Sequence, residues 1–142
     1  MREPRGQRAN YRYFAPITTR WHDNDAYGHI NNVVYYSYFD TVVNQFLIAQ
    51  GLDLKDDSTR ALVVSSGCQY HAEAAYPDAL EGALKVRRLG NSSVEYGCAV
   101  FRQGDPQPAA EGFLVHVFVD RHHRPCPIPA ALRAALATLE NP

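Results

Sequence analysis

Apolar side chains between residues 33 and 50 recur at steps of three and four residues, the spacing of one face of an α-helix. The residues on this face are Tyr35, Tyr38, Phe39, Val42, Phe46 and Ala49. Asn31 or Asn32 supplies the N-cap, and Gly51 follows the predicted end of the helix. Because four valines lower the helix propensity of this segment, we expect burial against a sheet to hold it.

A period of two dominates the rest of the chain and predicts strands. The first strand is predicted over residues 11–21, where Pro16 indicates an edge position or a bulge because proline cannot donate to the ladder. Short turns separate four further predicted strands, which suggests an antiparallel meander. These strands are residues 62–74, 83–89, 92–102 and 111–120. Residues 127–142 predict a short capping helix.

The order of these elements predicts an α+β fold in which one long helix lies on a curved antiparallel sheet of five or six strands. A length of 142 residues is typical of one domain, which we place at residues 11–142 after a flexible arm at residues 1–10. The strand at 113–119 is apolar on both faces. A second copy of the chain is the simplest cover for it, so we expect a homodimer.

Composition and charge exclude several classes of protein. Lys and Arg total 14 against 15 Asp and Glu, a net charge of -1, which argues against a nucleic-acid partner. No segment approaches the roughly 20 apolar residues that span a bilayer, and residues 1–10 lack the apolar region of a signal peptide. Three widely spaced cysteines do not suggest a disulfide framework. We therefore expect a cytoplasmic protein without a membrane partner.

The segment WHDNDAYGHINN, residues 21–32, places carboxylates just ahead of the long apolar helix. The first turn of a helix has N–H groups without internal partners, and the helix dipole adds positive charge there. These groups can stabilise the oxyanion that forms from a carbonyl group. Asp25, ionised at neutral pH, can attack such a carbonyl carbon or activate water. The two features together predict a minimal acyl-transfer site.

Other interpretations of the same segment are simpler. Aspartate and asparagine ahead of a helix are often only caps. DNDAYG begins like a calcium-binding loop, but Tyr27 and Val34 stand where oxygen ligands are required. His122 and His123 match no usual zinc spacing. We therefore expect neither a metal nor a cofactor.

Residues 20–42, RWHDNDAYGHINNVVYYSYFDTV, resemble the first motif of the hotdog-fold acyl-CoA thioesterases, specifically the 4-hydroxybenzoyl-CoA thioesterase-like group. The resemblance continues through later segments and covers about residues 13–133; it departs at Pro77-Asp78, where the group usually has glycine-aspartate. It implies a hotdog fold, a long central helix wrapped by the sheet. It also implies homodimers joined at sheet edges, often paired into homotetramers, with active sites at the subunit interface.

Site residues follow from the same resemblance. Asp25 matches the catalytic carboxylate, acting as nucleophile or general base, and the backbone amide near Asn32 matches the donor that polarises the thioester carbonyl. The positions assigned to substrate binding are Tyr27, Gly28, His29, Asn31 and Tyr35.

The implied function is hydrolysis of an acyl-CoA thioester to a free carboxylic acid and coenzyme A. Coenzyme A is then part of the substrate and not a cofactor. Two alternatives stay open: a hotdog hydratase or dehydratase acting on acyl thioesters, for which His29 is the candidate, and a non-catalytic acyl-CoA-binding module.

Overall fold

The computed structural model describes residues 4–140, which form a five-stranded antiparallel sheet and two α-helices. In chain order the elements are β1 (Tyr13–Ile17), α1 (Asn32–Ala49), β2 (Arg60–Tyr70), β3 (Leu80–Leu89), β4 (Ser93–Arg102), β5 (Ala110–Val119) and α2 (Ala130–Ala137). The predicted α+β hotdog fold, with one long helix against a curved sheet, is confirmed. The first three residues of the predicted arm and the last two of the predicted tail lie outside the described residues.

The strands lie in the order β1-β3-β4-β5-β2. Strands β3, β4 and β5 form the predicted meander, but the prediction is wrong for β2, which pairs with β5 at the far edge and not with β3. Alternation identifies a strand without identifying its neighbour. The loop at 71–79 instead carries the chain from one edge of the sheet towards the other.

Helix α1 packs its apolar face against the sheet. Its buried residues are Tyr35, Tyr38, Phe39, Val42, Val43, Phe46 and Leu47. The prediction that Ala49 belongs to the buried face is wrong. Ala49 is the last residue of α1 and is exposed, while Val43 and Leu47 are buried. The side chain of Asn31 caps the start of the helix, and Gly51, with φ 105°, follows its end.

Strands β1 and β2 are the two edges of the sheet. Of the two alternatives predicted for Pro16, an edge position or a bulge, the edge position is confirmed. Strand β1 is shorter than predicted, because after Ile17 the chain leaves the sheet and makes a 3₁₀ turn at Trp21–Asp23 that leads into the polar segment. On β2, Leu62, Val63 and Val64 are 38%, 49% and 60% exposed, so this edge presents an apolar surface.

The N-terminal segment contacts the body of the protein. The N–H of Gly6 donates to Glu111 at 2.6 Å, and Arg8 forms a 2.9 Å ion pair with Glu81. The predicted flexibility of residues 1–10 stays a prediction. Within residues 4–140, no helix is both long and apolar enough to cross a membrane.

Candidate active site

Residues 23–31 form a tight loop that returns to the start of α1. The N–H of Asp25 donates to the carbonyl of His29 at 2.8 Å, and the N–H of Asn31 donates to the carbonyl of Asp23 at 2.9 Å. Gly28 turns the chain with φ 81°, a conformation that a residue without Cβ adopts at low cost. The loop therefore presents Asp25 beside the N-terminus of the helix.

The carboxylate of Asp25 is half-buried and bound on one side only. Its Oδ1 accepts hydrogen bonds from the N–H of Tyr27 at 2.8 Å and from the N–H of His29 at 3.5 Å. Within residues 4–140, Asp25 forms no ion pair, and its Oδ2 accepts no hydrogen bond. One carboxylate oxygen thus holds the loop, while the other remains available to a ligand.

The N-terminus of α1 presents the N–H of Asn32 as an unsatisfied donor within residues 4–140. Asn31, the N-cap, accepts a hydrogen bond from the N–H of Val33 at 3.1 Å. Asn32 is the first helical residue, and its N–H has no acceptor in the described part of the chain. This N–H is a donor for an incoming oxygen atom, and the helix dipole adds to its positive potential.

A cavity of about 440 Å³ brings most of the candidate residues together. The predicted residues that line it are Asp25, Tyr27, His29, Asn32 and Tyr35. Gly28 and Asn31 do not line it: Gly28 makes the turn of the loop, and Asn31 caps the helix. The catalytic and substrate-binding roles of all seven residues stay predictions.

Sequence reasoning missed the wall of this cavity that comes from β2 and the loop after it. Tyr70 and Glu73 are lining residues, together with two alanines between and beyond them. The hydroxyl of Tyr70 donates to the carbonyl of Asn32 at 3.0 Å, and its ring meets Tyr35 edge-on at 5.5 Å. The period-two pattern of residues 62–74 places Tyr70 and the alanines on one face, but it does not indicate that this face meets the helix N-terminus.

Burial sets the chemistry of the tyrosines in the cavity wall. Desolvation raises the pKa of Tyr35 to about 12 and also raises the pKa of Tyr70 above its ordinary value. Both side chains are therefore neutral near pH 7, so they act as hydrogen-bonding phenols and not as bases.

His29 meets an acid at the mouth of the cavity. Its Nε2 lies 3.0 Å from Oε2 of Glu73, and the two side chains are 42% and 74% exposed. Water screens a pair this exposed, so we assign it little stabilising energy. The pair does place an imidazole and a carboxyl group in the cavity that Asp25 also lines.

The described residues contain no group of three or more His, Cys, Asp or Glu side chains that could hold a metal ion. The expectation that the protein uses no metal or cofactor stays a prediction.

Known proteins resemble this chain in sequence and in structure. The family model of the thioesterase-like superfamily matches residues 19–136. The crystal structure of the PA5185 protein from Pseudomonas aeruginosa strain PAO1 superposes with a TM-score of 0.94, at 53% identity over 96% of this chain and 97% of that one. The structure of BH1999, a gentisyl-coenzyme A thioesterase, superposes with a TM-score of 0.78, at 24% identity over 87% of this chain and 99% of that one. At this identity the similarity to BH1999 shows the fold alone.

A curated relative is the uncharacterized protein YsmA of Bacillus subtilis strain 168, which is 24% identical over 87 residues. The match covers 61% of this chain and 59% of YsmA, so the chain spans little more than half the length of that relative.

Proposed function

The chain belongs to the thioesterase-like superfamily, and from this premise we propose that it hydrolyses acyl-coenzyme A thioesters, releasing a carboxylic acid and coenzyme A. The observation that carries the proposal is the pairing of Asp25 with Asn32 in one cavity. A carboxylate with an open oxygen and a helix-terminal N–H with no acceptor are the two groups that thioester cleavage needs. The proposed substrate class is the one on which BH1999, a gentisyl-coenzyme A thioesterase of the same fold, acts.

The carbonyl oxygen of the thioester accepts the N–H of Asn32 in this proposal. As negative charge develops on that oxygen during attack, the hydrogen bond and the helix dipole stabilise it without reorganising the protein. Tyr70 supports the arrangement by donating to the carbonyl of Asn32, which holds the first turn in place. The acyl group lies against the tyrosines of the cavity wall.

Asp25 acts by one of two routes. As a general base it takes a proton from water; the resulting hydroxide adds to the carbonyl carbon, and the tetrahedral intermediate expels the coenzyme A thiolate, which receives the proton. As a nucleophile it adds to the carbonyl carbon itself, expels the thiolate and forms a mixed anhydride that water then hydrolyses. A single turnover of unlabelled enzyme in ¹⁸O-water tests the nucleophilic route. If water attacks the Asp25 carboxyl carbon of the anhydride, the label enters Asp25 and the product acid leaves with an unlabelled oxygen from Asp25. The general-base route instead places the label in the product acid and leaves Asp25 unlabelled.

A second copy of the chain completes the assembly in this proposal. Strand β2 is an edge with an exposed apolar row at Leu62, Val63 and Val64, and an open edge of this kind pairs readily with another strand. Tyr27, which lines the cavity, is 86% exposed in the single chain. We therefore propose a homodimer whose partner subunit covers the apolar surface.

The contact of His29 with Glu73 favours a second candidate function, hydration or dehydration of acyl thioesters. A histidine 3.0 Å from a carboxylate can move a proton to or from a substrate carbon. The wide exposure of both side chains makes this candidate the weaker one, since general acid–base catalysis gains from a desolvated site.

A panel of acyl-CoA thioesters tests these functions on the purified protein. Ellman's reagent measures the release of coenzyme A, with short, branched, medium-chain and aromatic acyl groups as substrates and heat-unfolded protein as the control. Thiol release that depends on folded protein supports hydrolysis. An enoyl-CoA added to the panel tests the second candidate, and loss of its enoyl absorbance without thiol release supports the hydratase. Tight acyl-CoA binding with neither reaction identifies a non-catalytic binding module and contradicts the proposal.

A further inference from the structure

Asp23, two residues before Asp25, is a buried carboxylate that the proposed reaction does not use. The residue is 1% exposed, although most aspartates lie at the surface. Its Oδ2 accepts hydrogen bonds from the hydroxyl of Tyr38 at 2.7 Å and from the N–H of Arg20 at 2.9 Å. Its Oδ1 lies 3.3 Å and 3.2 Å from Nε and Nη2 of the Arg20 guanidinium. These contacts satisfy both oxygens of the side chain.

The position of Asp23 in the fold connects the two halves of the candidate site. Its side chain reaches Tyr38, in the second turn of α1, while its carbonyl accepts the N–H of Asn31 at the start of the same helix. The loop that carries Asp25 leaves from Asp23 and returns to Asn31. Both ends of the loop are thus attached to α1, the helix whose first residue, Asn32, lines the cavity.

The charge of Asp23 strengthens this attachment. Burial by itself raises the pKa of the carboxyl, but the hydrogen bonds from Tyr38 and Arg20 outweigh it and leave the pKa below its usual value. The group is therefore a carboxylate at neutral pH, and hydrogen bonds to a charged acceptor are stronger than neutral ones. Desolvation and the bond to Asp23 raise the pKa of Tyr38, so its hydroxyl stays protonated as the donor.

We propose that Asp23 is a positioning residue for the thioester hydrolysis proposed above: by joining the start of the loop to Tyr38, it keeps Asp25 in the cavity that Asn32 also lines. Asp23 touches no reacting atom. It acts through the loop, and a displacement of Asp25 by about 1 Å is enough to slow a reaction about 100-fold. The inference rests on the proposed function for its catalytic consequence, but the attachment of the loop can be measured without any substrate.

Two substitutions test the inference. Tyr38→Phe removes the hydroxyl that reaches Asp23 and keeps the ring in the core, and Asp23→Asn keeps the shape and removes the charge. Tyr96→Phe is the matched control, because it removes another buried hydroxyl, 3.3 Å from Nδ1 of His116 and outside the cavity lining. We expect Tyr38→Phe and Asp23→Asn to lower kcat about ten-fold or more with KM within about two-fold, and Tyr96→Phe to keep the wild-type kcat.

Hydrogen exchange supplies the readout that needs no catalysis. We expect the amides of Tyr27 and His29, which donate to Asp25, to exchange at least about ten-fold faster in Tyr38→Phe than in Tyr96→Phe, with the β3–β4 amides unchanged. If Asp23→Asn does not fold, the kcat and the loop exchange of Tyr38→Phe alone test the inference. A lowered melting temperature with wild-type kcat and wild-type loop exchange would overturn the inference. If the wild-type protein cleaves no thioester, the proposed function fails, and unchanged loop exchange in Tyr38→Phe still overturns the role of Asp23.

Discussion

Replacing Asp25 with asparagine isolates the chemistry of one oxygen atom. In the structure Oδ1 of Asp25 accepts the N–H of Tyr27 at 2.8 Å, and an asparagine Oδ1 can accept the same bond. The loop should therefore keep its shape. The open Oδ2 becomes an NH₂ group, which cannot take a proton from water or attack a carbonyl carbon.

The size of the expected effect follows from this single loss. A positioned general base contributes roughly 10²- to 10⁴-fold to a rate, which corresponds to about 3–5 kcal/mol in the activation free energy. The stability change should be small by comparison, because the loss of a negative charge near a helix N-terminus costs only about 0.3–1 kcal/mol. We expect kcat for thiol release to fall by that factor while the melting temperature stays within about 4 °C of the wild type.

The assay is thiol release with Ellman's reagent on whichever acyl-CoA the panel identifies, alongside thermal unfolding. Asp40→Asn is the matched control, since Asp40 is an exposed aspartate of α1 that does not line the cavity. It should keep the wild-type kcat. A folded Asp25→Asn protein that retains more than about one tenth of the wild-type kcat would refute the assignment of Asp25.

Three further predictions concern stability and assembly. Burial lowers the pKa of His116 to about 4 from an ordinary 6.5, so protonation favours the unfolded chain. The free energy of unfolding, measured by urea titration, should therefore fall by about 2 kcal/mol between pH 8 and pH 5. His116→Phe should reduce this dependence of the unfolding free energy on pH. Asn31→Ala removes the acceptor for the N–H of Val33 and should cost about 1 kcal/mol of unfolding free energy in the same titration; no change would show that the cap does not matter. Val64→Lys places a charge on the apolar edge of β2 and should convert the dimer to a monomer, as measured by light scattering. Leu54→Lys, in an exposed loop, should leave the dimer intact. A monomeric wild-type protein would contradict the proposed dimer.

The long helix was predictable because its signals are local. Steps of three and four residues mark its apolar face, an asparagine caps its start, and Gly51 follows its end. The edge position of Pro16 was one of two predictable alternatives for the same reason. Proline has no N–H to donate to a neighbouring strand, which restricts it to an edge strand or a bulge. The motif around Asp25 also lies within one short segment, so its resemblance to the thioesterases could be found before any contact was known.

The far wall of the cavity depends on contacts between distant segments. Tyr70 lies 38 residues from Asn32 along the chain, and its hydroxyl reaches the carbonyl of Asn32 only because β2 pairs with β5 and not with β3. The alternation in β2 fits either neighbour, so no local pattern identifies the partner strand. The exposure of Ala49 has a similar cause, because the direction in which α1 meets the sheet decides where the buried stripe ends.

By itself, the sequence determined the type of each major element, the α+β class and the short segment that carries Asp25, since each follows from spacing along a continuous stretch of chain. Only the tertiary structure decided which strand lies next to β5, which side chains from β2 close the cavity, and that the buried carboxylate of Asp23 attaches the loop to α1. These contacts join residues whose types alone give no sign of the pairing. The contacts stabilise the protein only when the folded chain brings the residues together and removes the water between them.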